Sequence, residues 1–408
     1  MGQPNVLLLV IDSLRADVVH EEHPPTPTLD AYGSRGAIFR QCIATASSTT
    51  PSFASLLTGC YPPKNGVRGL RGHQLRPEVT TMAEAFSASG YDTFAYVRGP
   101  LVAETKVLRG FRQVHHIVGD SLPFMAWRED ALNKLQGLTH PWFMLLHLWE
   151  VHRPYRSPPD FKKRLGRKGY EAAVTATDSA LAPVLGSVPD DTIIAITGDH
   201  GERYANSYLG DRFAVLAREI RRRFKEGALP SRIEQKLGDW SVGHGFTLDE
   251  ELVRVPLSIT GPGVPVLQSD DQVRHVDLFP TLSDLCGVGL PQELDGRSLR
   301  PLLEGRQLVE EPAYMEATGV TGGSPILGVR TSQWKYLKGA RAEPQLFGLA
   351  DVVGPDEKTN LIQQEPEIAE QLAAELAALL GRSPVGSPGM TAQEEAVVEE
   401  HLRDLGYL

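Results

Sequence analysis

Five short segments of this chain run apolar instead of alternating: Val6–Ile11, Phe94–Val97, Trp142–Leu148, Thr192–Thr197 and Val253–Ile259. A strand with one face in water alternates polar and apolar residues with period two. A strand that is apolar throughout needs cover on both faces, which a parallel sheet between two helical layers supplies. Helical spacing lies between the runs. Pro51–Leu57 opens on a proline, puts Phe53, Leu56 and Leu57 on one side and stops at Gly59. Val79–Ser89 and Gly169–Leu185 have the same spacing. Strand–helix alternation of this kind predicts an α/β layered fold.

Beyond Leu303 the pattern changes. Ile326–Arg330 and Trp334–Leu337 read as short strands between turns, followed by an Ala/Leu/Glu-rich helix at Pro366–Leu380. This predicts a small, mostly antiparallel C-terminal α+β subdomain. Ser383–Met390 is a Pro/Gly/Ser linker. Thr391 and Glu394 then form a capping-box pattern, and Val398, Leu402 and Leu405 line one face of a terminal helix before Gly406. The expected organisation is a catalytic body over residues 1–305 with an insertion at 204–243, a subdomain over 306–382, and a linker with terminal amphipathic helix over 383–408.

Composition narrows the function. With 41% hydrophobic and 23% charged residues, the chain is neither disordered nor fibrous. Val6–Ile11, the longest unbroken apolar run, is far short of the roughly 20 residues of a membrane span. The opening Met1-Gly2-Gln3-Pro4-Asn5 lacks a cationic stretch, so no signal peptide is expected. Three scattered cysteines do not make a disulfide framework, and the expected compartment is the cytoplasm. A net charge of −10 argues against nucleic-acid polymers as partners but leaves room for a small anionic substrate in a locally positive cleft.

Ligands of parallel sheets bind beyond the carboxyl ends of the strands. Asp12 follows the first run, Glu150 and His152-Arg153-Pro154-Tyr155 follow the third, and Asp199-His200-Gly201-Glu202 follow the fourth. Thr49-Thr50-Pro51-Ser52 begin a helix, where free backbone N–H groups and the helix dipole favour an incoming anion.

These segments resemble the sulfatase family of the alkaline phosphatase superfamily. The resemblance is carried by Asn5–Asp17, Thr26–Asp30, Thr49–Gly59, Thr197–Glu202, His244–Glu250, Val276–Leu282 and Asp295–Leu299, and further on by Trp334-Lys335-Tyr336 and Asn360-Leu361. It implies an alkaline-phosphatase-like α/β/α sandwich with a mixed, mostly parallel sheet, and an anionic-ester hydrolase that uses a divalent metal. It also implies Thr49 as nucleophile, with Thr50 or Ser48 open if the register slips. Asp12, Thr49, Asp199 and His200 are the implied metal ligands. His152 is the implied leaving-group residue, and His244 and Arg98 the implied substrate contacts.

The departures matter as much. Family sulfatases carry Cys or Ser at the nucleophile, later oxidised to formylglycine, with an arginine further along. Here those positions are Thr49 and Phe53. Oxidised threonine is a ketone, not an aldehyde, so Thr49 is expected to act unmodified. That favours phosphate mono- or diesters through a phosphothreonine, with a sulfate ester, a group transfer or a non-catalytic role as alternatives. At the metal, Asp12-Ser13 and Asp199-His200 stand where Asp-Asp and Asp-Asn are usual. Exchanging a carboxylate for an imidazole favours zinc or manganese over calcium. A second ion at His152 and His244 stays open, as does a homo-oligomer. The basic insertion (Arg218, Arg221, Arg222, Arg223, Lys225, Arg232, Lys236) reads either as a solvated helix or as a positive lid.

Overall fold

The computed structural model describes residues 2–20, 24–117, 125, 127–165, 169–204, 243–291, 293–319, 325–339, 343–349, 357–381, 389–405 and 407. The basic insertion therefore lies outside the described residues, apart from its ends Tyr204 and Gly243.

The strands are β1 (Asn5–Ile11), β2 (Ala37–Ile43), β3 (Asp92–Val97), β4 (Gln113–His116), β5 (Trp142–Leu148), β6 (Thr192–Gly198), β7 (Arg254–Thr260) and β8 (Leu267–Arg274). They form one sheet in the order β4-β3-β5-β1-β6-β7-β2-β8. β7 pairs antiparallel with β6 and β2, and every other pair is parallel. The fifth apolar run is thus a reversed strand. Its residues are all buried, so its composition matches that of its parallel neighbours. Burial on two faces makes a strand apolar whichever way it runs.

The central trio β5-β1-β6 is buried throughout. Alternate side chains go to opposite layers. Val6, Leu8, Val10, Phe143, Leu145, Ile193 and Ala195 pack with Phe53, Leu56 and Leu57 of the helix Thr49–Thr58. Leu7, Leu9, Ile11, Met144, Leu146, Ile194 and Ile196 pack with Tyr170, Val174 and Leu181 of the helix Tyr170–Leu185. Each such side chain taken fully from water contributes about 1.5–3 kcal/mol before the entropy of ordering it.

A second sheet of four antiparallel strands follows: β9 (Ala313–Ala317), β10 (Ile326–Arg330), β11 (Trp334–Gly339) and β12 (Gln345–Gly348), in the order β12-β11-β10-β9. The helix Pro366–Gly381 covers it with Ala369, Leu372 and Leu376. The two sheets share a core in which Ala313 and Met315 meet Ile43, Leu248, Leu252 and Val253.

The terminal helix Ala392–Asp404 starts at the expected capping box, with Thr391 and Glu394 bonded reciprocally. It does not lie free. Val398 and Leu402 are buried against Leu70 and Trp149, and His401 Nε2 is 3.0 Å from the Gly99 carbonyl oxygen. Arg71 pairs with Glu399. The chain therefore ends over the loop that follows β5.

Candidate active site

Three strand ends meet at one point. Because β1 lies between β5 and β6 in register, Val10 is opposite both His147 and Thr197. Asp12 and Asp199 continue the same sheet face two residues on. Asp12, His147 and Asp199 are fully buried, and one ligand atom from each lies within 4.8 Å of the others.

The backbone is bent to make this possible. Asp12 N–H still bonds the Leu148 carbonyl at 2.9 Å. Ser13 then turns into the left-handed region (φ 61°), which few non-glycine residues occupy. The turn directs the Ser13 N–H to Asp199 Oδ1 (3.0 Å). The Ser13 hydroxyl donates to Asp12 Oδ1 (2.7 Å) and its carbonyl accepts from Tyr170 (2.8 Å). Ser13, which replaces a carboxylate of the family pattern, serves as a brace for the one that remains.

The helix opposite begins at Thr49, not at Pro51 as the spacing suggested. That extra length puts Thr49 in the first turn. Its hydroxyl donates to Asp12 Oδ2 at 3.1 Å and is 3.4 Å from His200 Nε2. Thr50 turns away and donates to the Pro100 carbonyl at 3.1 Å. Of the two threonines, Thr49 is the one brought to the acidic cluster. Below it, Ser52 donates to the Asp199 carbonyl and lies 3.2 Å from His275 Nδ1, tying helix to strand end.

The four residues expected as metal ligands lie together: Asp12 and His200 beside Thr49, and Asp199 beside His200. His200 Nδ1 donates to the Gly201 carbonyl (2.8 Å), which leaves the Nε2 lone pair facing Thr49 and Asp199 Oδ2, the latter at 3.4 Å. His147 was not anticipated. Its Nε2 is 3.4 Å from Asp12 Oδ2, with the Phe53 ring packed edge-on at 4.7 Å. Its signal in the sequence was parity: it is a polar residue inside an apolar run, on the same face as Phe143 and Leu145.

The charge balance invites a cation. Burial alone would raise the Asp12 carboxyl. The neighbouring imidazoles of His147, His152 and His200 outweigh it, so Asp12 sits far below the usual carboxylate range. Burial and the Asp12 charge push Asp199 up to about 6. Neither ring nitrogen of His147 nor Asp199 Oδ2 has a hydrogen-bond partner. Buried polar atoms are rarely left so. Two carboxylates and two imidazoles around these atoms form a mixed N/O donor set that fits a divalent ion.

A second cluster adjoins the first. Trp149 stacks on His152 with ring centroids 4.0 Å apart, and His152 is 5.0 Å from His244. His244 lies 4.2 Å from the His200 ring. His244 Nδ1 is 3.4 Å from Glu202 Oε2. Burial lifts the Glu202 carboxyl to about 7, against the opposing charges of His152 and His200. Burial lowers His152 to about 4. Its Nδ1 donates to the Arg153 carbonyl at 2.6 Å, so Nε2 carries a lone pair. It accepts from the Tyr407 hydroxyl at 2.8 Å, and His244 Nε2 is 3.3 Å from the same oxygen. Tyr407 is a site residue that the sequence reading missed. Arg98 is buried just before Gly99 and Pro100, on the loop that receives the Thr50 hydroxyl. Arg15 is held by Asp17 and by Glu251 (2.8 Å), a structural role. Glu150 binds Trp127 Nε1 and the Trp149 N–H, each at 3.1 Å.

The chain is similar to known proteins in sequence and in fold. Residues 4–288 match the family model described as Sulfatase. Residues 243–382 match that of the C-terminal region of N-sulphoglucosamine sulphohydrolase. Arylsulfatase K of Mus musculus is 30% identical over 243 residues, which cover 55% of this chain and 37% of that protein. The match therefore spans well under half of that relative. Choline-sulfatase of Rhizobium meliloti is 24% identical over 450 residues, covering 89% of this chain and 83% of its own. The crystal structure of the phosphonate monoester hydrolase of Agrobacterium radiobacter shares the fold, with a TM-score of 0.71 at 19% identity over 93% of this chain and 96% of that one.

Proposed function

The chain belongs to the sulfatase family, and from that premise we propose that it is a metal-dependent hydrolase of a small anionic ester, with sulfate esters first among the substrates. The observation that carries this is the Thr49 hydroxyl, held in the first turn of a buried helix 3.1 Å from Asp12 Oδ2 and 3.4 Å from His200 Nε2. The relatives' names, arylsulfatase and choline-sulfatase, support sulfate ahead of phosphate and reverse the order that threonine chemistry alone suggested.

Asp12, His147, Asp199 and His200 would hold the ion, zinc or manganese by donor type. When bound, it would supply Lewis-acid stabilisation of the ester oxygens and favour the ionised hydroxyl. Asp12 Oδ2 accepts the Thr49 hydrogen bond and so orients Oγ1. Attack by Oγ1 on sulfur or phosphorus forms one bond while the bond to the leaving alcohol breaks, the electron pair departing with the alcohol oxygen. Water then displaces the group from Thr49 and restores the hydroxyl. Arg98 is the candidate contact for the non-bridging oxygens, with the His244 ring beside His200.

A second reading is favoured by one specific observation. Thr49 and Phe53 replace the oxidisable residue and the arginine of the family pattern. An unmodified secondary alcohol suits phosphorus, and a phosphonate monoester hydrolase is among the chains that share this fold. The test is a panel of 4-nitrophenyl sulfate, phosphate and phenylphosphonate with metal-loaded protein. The proposal expects turnover of the sulfate, and a loss of about 10³-fold or more in Thr49→Ala with the fold retained. Turnover confined to phosphorus esters would replace the first reading by the second. Full activity in Thr49→Ala would overturn both.

A further inference from the structure

We propose that Tyr407 is a positioning residue of this site: the C-terminal tail carries its hydroxyl between His152 and His244 and holds both imidazoles in the orientation that the substrate meets. The inference rests on the hydrolase reading and adds to it a residue outside the matched segments 4–288 and 243–382.

The proton directions follow from the geometry. His152 Nδ1–H is committed to the Arg153 carbonyl (2.6 Å), so Nε2 must accept, and the Tyr407 O–H donates to it at 2.8 Å. That hydroxyl's one proton is then used, so His244 Nε2–H donates to the Tyr407 oxygen at 3.3 Å. The other His244 nitrogen faces Glu202, and its ring lies 4.2 Å from that of His200. One hydroxyl thereby links the two rings, fixing the tautomer of His244 and the tilt of both beside the proposed metal ligands.

The tail is built to stay in place. Val398, Leu402 and Tyr407 are buried with Leu70 and Trp149. Tyr407 N–H bonds the Leu402 carbonyl at 2.9 Å, and His401 meets Gly99. Gly99 (φ 78°) lies so close beneath the Trp149 ring that a Cβ there would overlap it. The tail, the Gly99 turn and the Trp149–His152 stack form one continuous unit. A merely obstructive tail would not need a hydroxyl aimed between two imidazoles.

The test is Tyr407→Phe beside Tyr407→Ala in the full chain, assayed with 4-nitrophenyl sulfate and phosphate. If the hydroxyl positions, kcat falls about 10- to 100-fold in Tyr407→Phe, KM stays within about threefold, and Tm drops by no more than about 3 °C. A wild-type rate in Tyr407→Phe with a fall only in Tyr407→Ala would reduce the residue to ring packing. A faster Tyr407→Phe would make the tail an obstruction; either result overturns the proposal. Nitrogen-15 spectra of the histidine rings separate this from failure of the hydrolase reading. The Nε2 signals of His152 and His244 should move in Tyr407→Phe while that of His140, at the far end of β5, does not. Unmoved signals overturn the proposal whether or not either ester is turned over.

Discussion

His147 carries the clearest consequence at the scale of single residues. Its imidazole is fully buried, both nitrogens lack hydrogen-bond partners, and Asp12 and Asp199 share its pocket. His147→Ala should therefore lower divalent-metal affinity by about tenfold or more, read by metal titration and by elemental analysis of purified protein. Unchanged affinity would remove His147 from the ligand set. Asp12, Thr49, Asp199 and His200 were legible because each follows an apolar run or starts a helix, where polar residues stand out. His147 was not, because it sits inside such a run and reads as an interruption. Only side-chain parity along β5, matched against β1 and β6, puts it beside Asp12. Tyr407 was hidden for another reason. Nothing local distinguishes a tyrosine after an amphipathic helix, and its partners come from segments far earlier in the chain.

Among the elements, the contact between the two sheets has its own chemistry. Glu250 is buried and bonds Arg330 through both oxygens at 2.9 Å and Lys335 at 3.2 Å. Burial would raise its carboxyl, but Lys335, Arg330 and Arg254 overcome this and bring it down to about 2. A carboxyl below its ordinary 4.5 in the folded state adds stability above that pH and loses it as pH falls from about 4.5 toward 2. Glu250→Gln should cost about 3–5 kcal/mol at neutral pH by leaving two buried cations underpaired. It should also flatten the fall in stability between pH 4.5 and pH 2, measured by denaturant titration at several pH values. A parallel pH profile in the variant would count against this assignment. The strands legible beforehand were the ones buried on both faces. β4 is exposed at every residue and the first half of β8 is largely exposed, so neither forms an apolar run. In β2 the exposed Arg40 breaks the pattern. The antiparallel direction of β7 was unreadable because direction leaves no mark on a fully buried strand.

Across the whole molecule, the proposed ligands come from the carboxyl ends of β1, β5 and β6, so an ion held there would fasten the three strands and its removal should be felt beyond activity. A chelator should lower Tm, and the loss should grow with the free metal concentration of the reference sample, since an ion bound only by the native state stabilises by RT ln(1 + [M]/Kd). A Tm indifferent to chelation would argue against the ligand set. At the other end, Leu402→Asp should release the terminal helix while the central sheet stays folded. Hydrogen exchange would then accelerate across Ala392–Asp404 and remain slow in β1, β5 and β6. Equal acceleration throughout would mean that the helix is part of the global cooperative unit.

The contact of Tyr407 with His152 and His244 also joins residues 255 and 163 positions apart. Closing loops of that length costs chain entropy that only the finished contacts offset. The tyrosine should therefore dock after β1, β5 and β6 have paired, and on refolding from denaturant turnover should return later than the far-ultraviolet circular dichroism of the sheet.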